Sequence, residues 1–219
     1  MKVLVVGDVH GCYHTFAQLV EKYWRPEKEF LIQVGDLISK GPHSAKCVKY
    51  IKRLQKKYPY QVFVLKGNHE DYYLKYHDRP KKSASVDKTK KDFLKHEMNL
   101  KKLNNWLQNM PYKWENPYML ITHAGISESV KNPYSYTNPR GVLHNRSSLR
   151  NMGKLQIFGH MIQSNGKLDY SELANAWCID TGAWIGQNLS ALRLSYEGKV
   201  LETIQVKTLP EDLPAVPAS

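Results

Sequence analysis

Three times near its N-terminus the chain runs through a short apolar stretch and stops on glycine followed by a carboxylate or an amide. These stops are Val3–Val6 before Gly7-Asp8, Phe30–Val34 before Gly35-Asp36, and Val62–Leu65 before Lys66-Gly67-Asn68. Amphipathic periods lie between them. Phe16, Leu19, Val20 and Tyr23 predict a helix over 13–24. Cys47, Val48, Ile51 and Leu54 predict a second over 44–58, ended by Pro59. Strands alternating with helices pair in parallel through right-handed crossovers. The residues just past the strand carboxyl ends of such a sheet share one rim, where ligands bind. Asp8, Asp36, Asn68 and His69 are therefore expected on one rim.

The chain changes character over 75–102, where lysines crowd and apolar residues are few before Phe93. A mobile loop is expected over about 77–90. A helix should follow to about 109, with Phe93, Leu100, Leu103, Trp106 and Leu107 inward and Pro111 closing it. Beyond it, strand patterns cover 118–122, 155–158, 176–179, 190–195 and 200–206. The Gly and Asn turns between several of them suggest antiparallel pairing. The tail from Leu209 contains Pro210, Pro214 and Pro217 and is expected to be loosely held. This gives one domain over 1–208, a basic loop-and-helix insert at about 75–109, and a Pro-rich tail at 209–219.

A chain of 219 residues can bury a large core without disulfides. With 42% hydrophobic and 24% charged residues, global disorder is excluded. No apolar run approaches the roughly 20 residues of a membrane span. The N-terminal apolar run is too short for a signal-peptide core. Cys12, Cys47 and Cys178 are odd in number and far apart, which points to a reducing compartment and a cytoplasmic location. The net charge of +12 favours contact with polyanions, although a solvated lysine-rich surface would give the same count.

Four of the nine histidines stand at or just past a strand end: His10, His69, His123 and His160. They sit in Gly7-Asp8-Val9-His10-Gly11, Gly67-Asn68-His69-Glu70, Thr122-His123-Ala124-Gly125 and Phe158-Gly159-His160, with Gly35-Asp36 between the first two. Each block alone has a plain explanation in capping or turn formation. All five at strand ends, in parallel-sheet order, are hard to explain that way. Carboxylate, imidazole and amide oxygen without thiolate suit manganese, iron or zinc. Two such cations clamp both oxygens of an in-line displacement and generate hydroxide near neutral pH.

At these residues the sequence resembles the phosphoprotein-phosphatase-like branch of the calcineurin-like metallophosphoesterases, over about residues 3–195. The resemblance implies an α/β fold, a four-layer α/β/β/α sandwich of mixed sheets with metals at the rim. It implies two divalent ions, manganese foremost, with iron, zinc, cobalt or magnesium as alternatives. Asp8, His10 and Asp36 would hold one ion. Asp36 would bridge to the second, held also by Asn68, His123 and His160. His69 would be the general acid. Ile179-Asp180-Thr181-Gly182 matches a late structural block.

The second block departs from the protein-phosphatase form Gly-Asp-x-Val-Asp-Arg-Gly. Here Ser39 stands for the acid that orients the catalytic histidine, and Lys40 for the phosphate-gripping arginine. Gly41-Pro42 and His123-Ala124-Gly125-Ile126 look more like the symmetrical bis(5′-nucleosyl)-tetraphosphatases, and Lys40 like the ApaH-like phosphatases. A phosphate leaving group has a pKa near ~6 and a phenol near ~10, and an alkoxide is more basic still. Losing the support of His69 should therefore harm anhydride cleavage least. Ser39 could itself hydrogen-bond His69. Lys40, Arg146 and Asn68 are the candidate phosphate ligands, with Arg140 as the alternative to Arg146. Tyr72, Tyr73, Tyr134 and Tyr136 could stack on a base or simply pack, and His43 and His144 are expected outside the ligand set.

The leading expectation is a metal-dependent phosphohydrolase acting on dinucleoside polyphosphate, polyphosphate or a capped RNA end. A protein phosphatase of the same fold is the alternative. A basic nucleic-acid-binding module with a relict site is the second. No membrane and no protein partner is called for.

Overall fold

The computed structural model describes residues 1–79, 81–135 and 137–213. Its first strand, β1 (Lys2–Val6), is buried at four of five positions. Side chains alternate across a strand, and a strand that is apolar throughout needs cover on both faces. Leu4 and Val6 turn towards the helices. Val3 and Val5 turn towards a second sheet. The same alternation splits β2 (Glu29–Gln33) and β3 (Val62–Val64), whose Leu31, Val62 and Val64 meet the helices while Ile32 and Phe63 meet the other sheet.

In the first sheet, β1, β2 and β3 are parallel, joined by α1 (Tyr13–Tyr23) and α2 (Ser44–Lys57). Two long strands complete it: β9 (Asn188–Ser195) lies antiparallel to β1, and β10 (Val200–Lys207) lies antiparallel to β9 at the edge. The chain reaches the second sheet through α3 (Asn68–Tyr76), α4 (Ala84–Lys95) and α5 (Leu100–Gln108). That sheet orders its strands β4 (Lys113–Glu115), β5 (Met119–Thr122), β6 (Leu155–Phe158), β8 (Ala176–Cys178) and β7 (Asp169–Ser171).

Two mixed five-stranded sheets flanked by helices are the expected fold class. Met119, Ile121, Ile157 and Ile179 close the apolar layer between the sheets. The outer face of the second sheet is covered, among the described residues, by irregular chain, with Ile126, Val142 and Leu143 packed on Leu120.

Three local expectations are corrected. In the second half, β5, β6 and β8 pair in parallel rather than antiparallel. The turn signals hid long crossovers; in this sheet only the three-residue edge strands β4 and β7 run opposite, whereas β9 and β10 pair antiparallel as expected. The loop over 77–90 is shorter than expected, because Ser83 caps α4 by accepting from the Val86 N–H. The helix to 109 is two helices, because Glu97 takes a left-handed φ of 53° and Asn99 starts α5 by accepting from the Lys102 N–H.

After β10, residues Pro210–Asp212 form a 3₁₀ turn whose Asp212 side chain is fully buried. Its carboxylate accepts from the His14 N–H at 3.0 Å and from the Thr15 N–H and hydroxyl at 2.7 Å each. Cys12 provides no side-chain cap for α1, so a residue about two hundred positions later satisfies that helix's free donors. Residues 214–219 of the expected Pro-rich tail lie outside the described residues. Asp212→Ala should lower unfolding stability by about 2 kcal/mol, and Asp212→Asn by less, as read in urea melts.

Candidate metal centre

Backbone bonding lays the strand-end loops on one another. The Val9 and His10 N–H groups donate to the Asp36 carbonyl, Gly11 to Leu37, and Gly41 back to His10. Within the second sheet, the Gly159 N–H just past β6 donates to the His123 carbonyl just past β5. Five residues of these loops take left-handed φ without being glycine: His10 (47°), Asp36 (54°), Ser39 (73°), Lys40 (64°) and His160 (67°). Such conformations cost about 1 kcal/mol or more each and persist where the surroundings over-determine them.

Glu70 supplies much of that determination. It is fully buried and accepts four backbone N–H groups: Asp36 and Gly67 on Oε2, Leu37 and Ile38 on Oε1, at 2.8–3.2 Å. Burial pushes its pKa up to about 7. Close packing fixes the small residues as well. A Cβ on Gly67 would overlap Asp36 Oδ1, and one on Gly159 would overlap Asp8 Oδ1.

These loops bring together all seven residues expected at the metals and as general acid. His10 Nε2 lies 3.4 Å from Asp36 Oδ2, and the ligand atoms of His10, Asp36 and His69 lie within 4.8 Å of one another. On the other side, His123 Nε2 is 3.6 Å from Asp36 Oδ1 and 2.9 Å from Asn68 Oδ1, which His160 Nδ1 also meets at 2.9 Å. Asp36, His123 and His160 form a second group within 4.8 Å. Asp36 is thus common to both groups. Asp8 accepts from the His160 N–H at 3.1–3.2 Å, and Asp36 Oδ1 accepts from the His69 N–H at 2.8 Å.

The hydrogen bonds set the tautomers. His10 Nδ1 faces the Ile38 carbonyl and His123 Nδ1 the Val34 carbonyl, both at 3.2 Å, so each carries its proton there. Each Nε2 then presents a lone pair to carboxylate or amide oxygen. Lone pairs facing one another at these distances repel unless a cation stands between them. Burial also lowers the histidine pKa values, His10 to about 4 and His160 to about 3, so protonation does not supply that cation at neutral pH. Burial of His123 shifts it the same way. His160 Nε2 is buried without a partner.

The acids carry the same strain. Burial raises Asp8 well above the ordinary carboxylate range, and the charges of Asp180 and Asp36 add to it. Asp180 is pushed up to about 7, again chiefly by burial. Burial works in the same direction on Asp36, but His123, His69 and His10 around it outweigh that and hold it low. A donor set of this kind fits divalent cations with oxygen and nitrogen ligands.

The phosphate candidates lie further out. Lys40 is exposed at the rim, its ammonium over the Trp184 ring. Arg146 lines a cavity of about 530 Å³ together with Arg140 and His144, and its charge acts on both His160 and Asp180. Ser39 is not bonded to His69; its buried hydroxyl accepts from Thr89 Oγ1 at 3.3 Å. Tyr73 is fully buried against Phe93 and is packing, whereas Tyr72 is exposed beside Tyr76. Tyr134 is half-buried with Lys113 over its ring. Tyr136 lies outside the described residues. His43 bonds the Glu211 carbonyl, apart from the cluster.

Sequence reasoning gave no role to Glu70, Asp180 or Trp184. Glu70 sits three residues past Gly67 at the head of α3, a position from which a carboxylate reaches back to free N–H groups, and that signal was present.

The chain belongs to the calcineurin-like phosphoesterases, whose family pattern matches residues 1–180. That family consists of metal-dependent phosphoesterases that use a dinuclear site. The chain is 32% identical over 130 residues to the symmetrical bis(5′-nucleosyl)-tetraphosphatase of Buchnera aphidicola subsp. Schizaphis graminum, covering 58% of this chain and 45% of that one. The Mannheimia succiniciproducens protein of the same name is 33% identical over the same length and shares. The chain thus spans about 45% of the length of the curated relatives it matches. A solved structure of a protein provisionally identified as a diadenosine tetraphosphatase superposes with a TM-score of 0.68 at 20% identity, covering 93% of each chain. A Saccharomyces cerevisiae serine/threonine phosphatase also gives 0.68, at 14% identity, covering 96% of this chain and 82% of that one. These two likenesses concern the fold. Among the described residues, no helix is long and apolar enough to cross a membrane.

Manganese added to chelator-treated protein should raise the melting temperature, with a gain of about 2.7 kcal/mol at a hundredfold excess over Kd. Asp8→Asn should shrink that gain, and elemental analysis should find close to two ions per chain.

Proposed function

We propose that the protein hydrolyses phosphoanhydrides, in a dinucleoside polyphosphate such as diadenosine tetraphosphate, in polyphosphate or at a capped RNA end. The supporting observation is what stands behind His69. Among the described residues no carboxylate hydrogen-bonds its ring, and Ser39, which stands where the resemblance expects the orienting acid, is engaged with Thr89. An unsupported general acid suits a leaving group that departs as phosphate and needs little protonation. The names of the curated relatives agree with this reading.

When bound by Asp8, His10, Asp36, Asn68, His123 and His160, two divalent cations, manganese foremost, supply hydroxide at neutral pH and positive charge at phosphorus. The residues of the chain do the rest. Asp36 fixes the spacing of the two ligand groups, since both share it. Its Oδ1, bonded to the His69 N–H, also sets the start of α3 and so aims His69 at the rim. His69 donates its proton to the departing oxygen. Lys40 and Arg146 neutralise the phosphate chain, Lys40 as a point charge without the bidentate fork of arginine.

A serine/threonine or tyrosine protein phosphatase is the second reading, favoured by Gly67-Asn68-His69-Glu70 and by the fold likeness to the yeast enzyme. A relict binding module would have no reason to keep lone pairs converging on one point.

With manganese, tripolyphosphate and diadenosine tetraphosphate should turn over faster than a phosphoserine peptide. His69→Ala should slow anhydride cleavage about tenfold and phosphoserine cleavage about a hundredfold or more. A peptide that turned over fastest would establish the protein-phosphatase reading instead.

A further inference from the structure

Trp184 lies in the 3₁₀ turn Ala183–Ile185, two residues beyond the Ile179-Asp180-Thr181-Gly182 block. Its indole nonetheless reaches the rim of the metal centre. The Lys40 Nζ stands over its ring, 4.9 Å from the centroid, and the His10 imidazole meets it edge-on at 6.2 Å. The ring therefore bridges His10, an expected metal ligand, and the exposed cation of the Ser39-Lys40 turn.

The two ends of that contact differ in freedom. The indole is held by its backbone: Gly182 and Gly186 flank the turn with left-handed φ of 72° and 81°, and the buried Ala183 carbonyl accepts from Thr208 Oγ1 at 2.7 Å. The Lys40 backbone is held too, its carbonyl accepting from Lys88 Nζ at 3.2 Å. Its side chain is an exposed four-carbon stem, and among the described residues no carboxylate pairs with its ammonium. A carboxylate partner would compete with phosphate for that charge. An aromatic face attracts the ammonium through its quadrupole and leaves the charge whole.

We infer that Trp184 is a positioning residue, whose indole face holds the Lys40 ammonium at the His10 side of the site for a phosphate oxygen. The inference rests on the reading of Lys40 as a phosphate ligand. A double-mutant cycle on the manganese-loaded enzyme tests both, with tripolyphosphate as substrate and inorganic phosphate as inhibitor. Trp184→Leu should raise KM and the phosphate inhibition constant by about threefold to tenfold, with kcat within twofold, as loss of a cation–π contact requires. Trp184→Phe, which keeps a ring, should recover most of that loss. In a Lys40→Ala background, Trp184→Leu should have no further effect on either constant. If Lys40→Ala alone leaves both constants unchanged, the phosphate-ligand reading of Lys40 fails, and this inference with it. If Lys40→Ala impairs binding but Trp184→Leu does not, or does so equally in both backgrounds, the positioning role alone is overturned.

Discussion

Four backbone N–H groups from two loops converge on the carboxylate of Glu70, and the metal centre depends on that convergence. The loop after β2 must bend sharply for Asp36 to face both ligand groups, which places Asp36 in a left-handed conformation. That bend takes the N–H groups of Asp36, Leu37 and Ile38 out of the sheet ladder. Buried donors without acceptors would cost about 1–3 kcal/mol each. Glu70 satisfies all three and, through Gly67, ties them to the start of α3, where Asn68 and His69 begin. Two strand ends become one rigid unit through a single side chain.

What that unit positions is a set of groups that is unstable alone. Asp8 and Asp180 are buried beside Asp36, and the histidines present lone pairs to oxygens. Five of the nine non-glycine residues with left-handed φ among the described residues lie in these loops. Strain concentrated in this way marks a place where the fold holds a geometry for a ligand rather than for its own stability. The apolar layers on both faces of β1 provide the stability that makes this possible.

The strand-end pattern made the first half legible. Apolar runs of four or five residues ending on Gly-Asp have one comfortable home, the middle of a parallel sheet with both faces covered. That pattern alone places Asp8, Asp36 and Asn68 on one rim. The second half was less legible because its information is not local. Edge strands β4 and β7 have three residues each, too short for alternation to register. The direction of β6 and β8 depends on crossovers through irregular chain, which carry no period. The Asp212 bond to α1 joins residues far apart in sequence, where only packing reveals a partner. Glu70 was visible within its motif, but its role was not, since three of its four donors come from another loop.

The basic segment and the altered second block prove to be one feature. The lysines over 75–102 do not form only a solvated face. Lys88 bonds the Lys40 carbonyl and Lys90 the His77 carbonyl, while Lys49 of α2 bonds the carbonyl of His96 at the end of α4. Asp92 of α4 accepts from the Ala45 N–H at the start of α2. Thr89 of the same helix donates to Ser39. The insert is therefore seated directly behind the Ser39-Lys40 turn. A carboxylate in place of Ser39 would be buried against Thr89, without the freedom to reach His69 that an unencumbered loop would give it. The packing that brings positive charge to the rim is also the packing that engages Ser39, and the proposed anhydride reading rests on both.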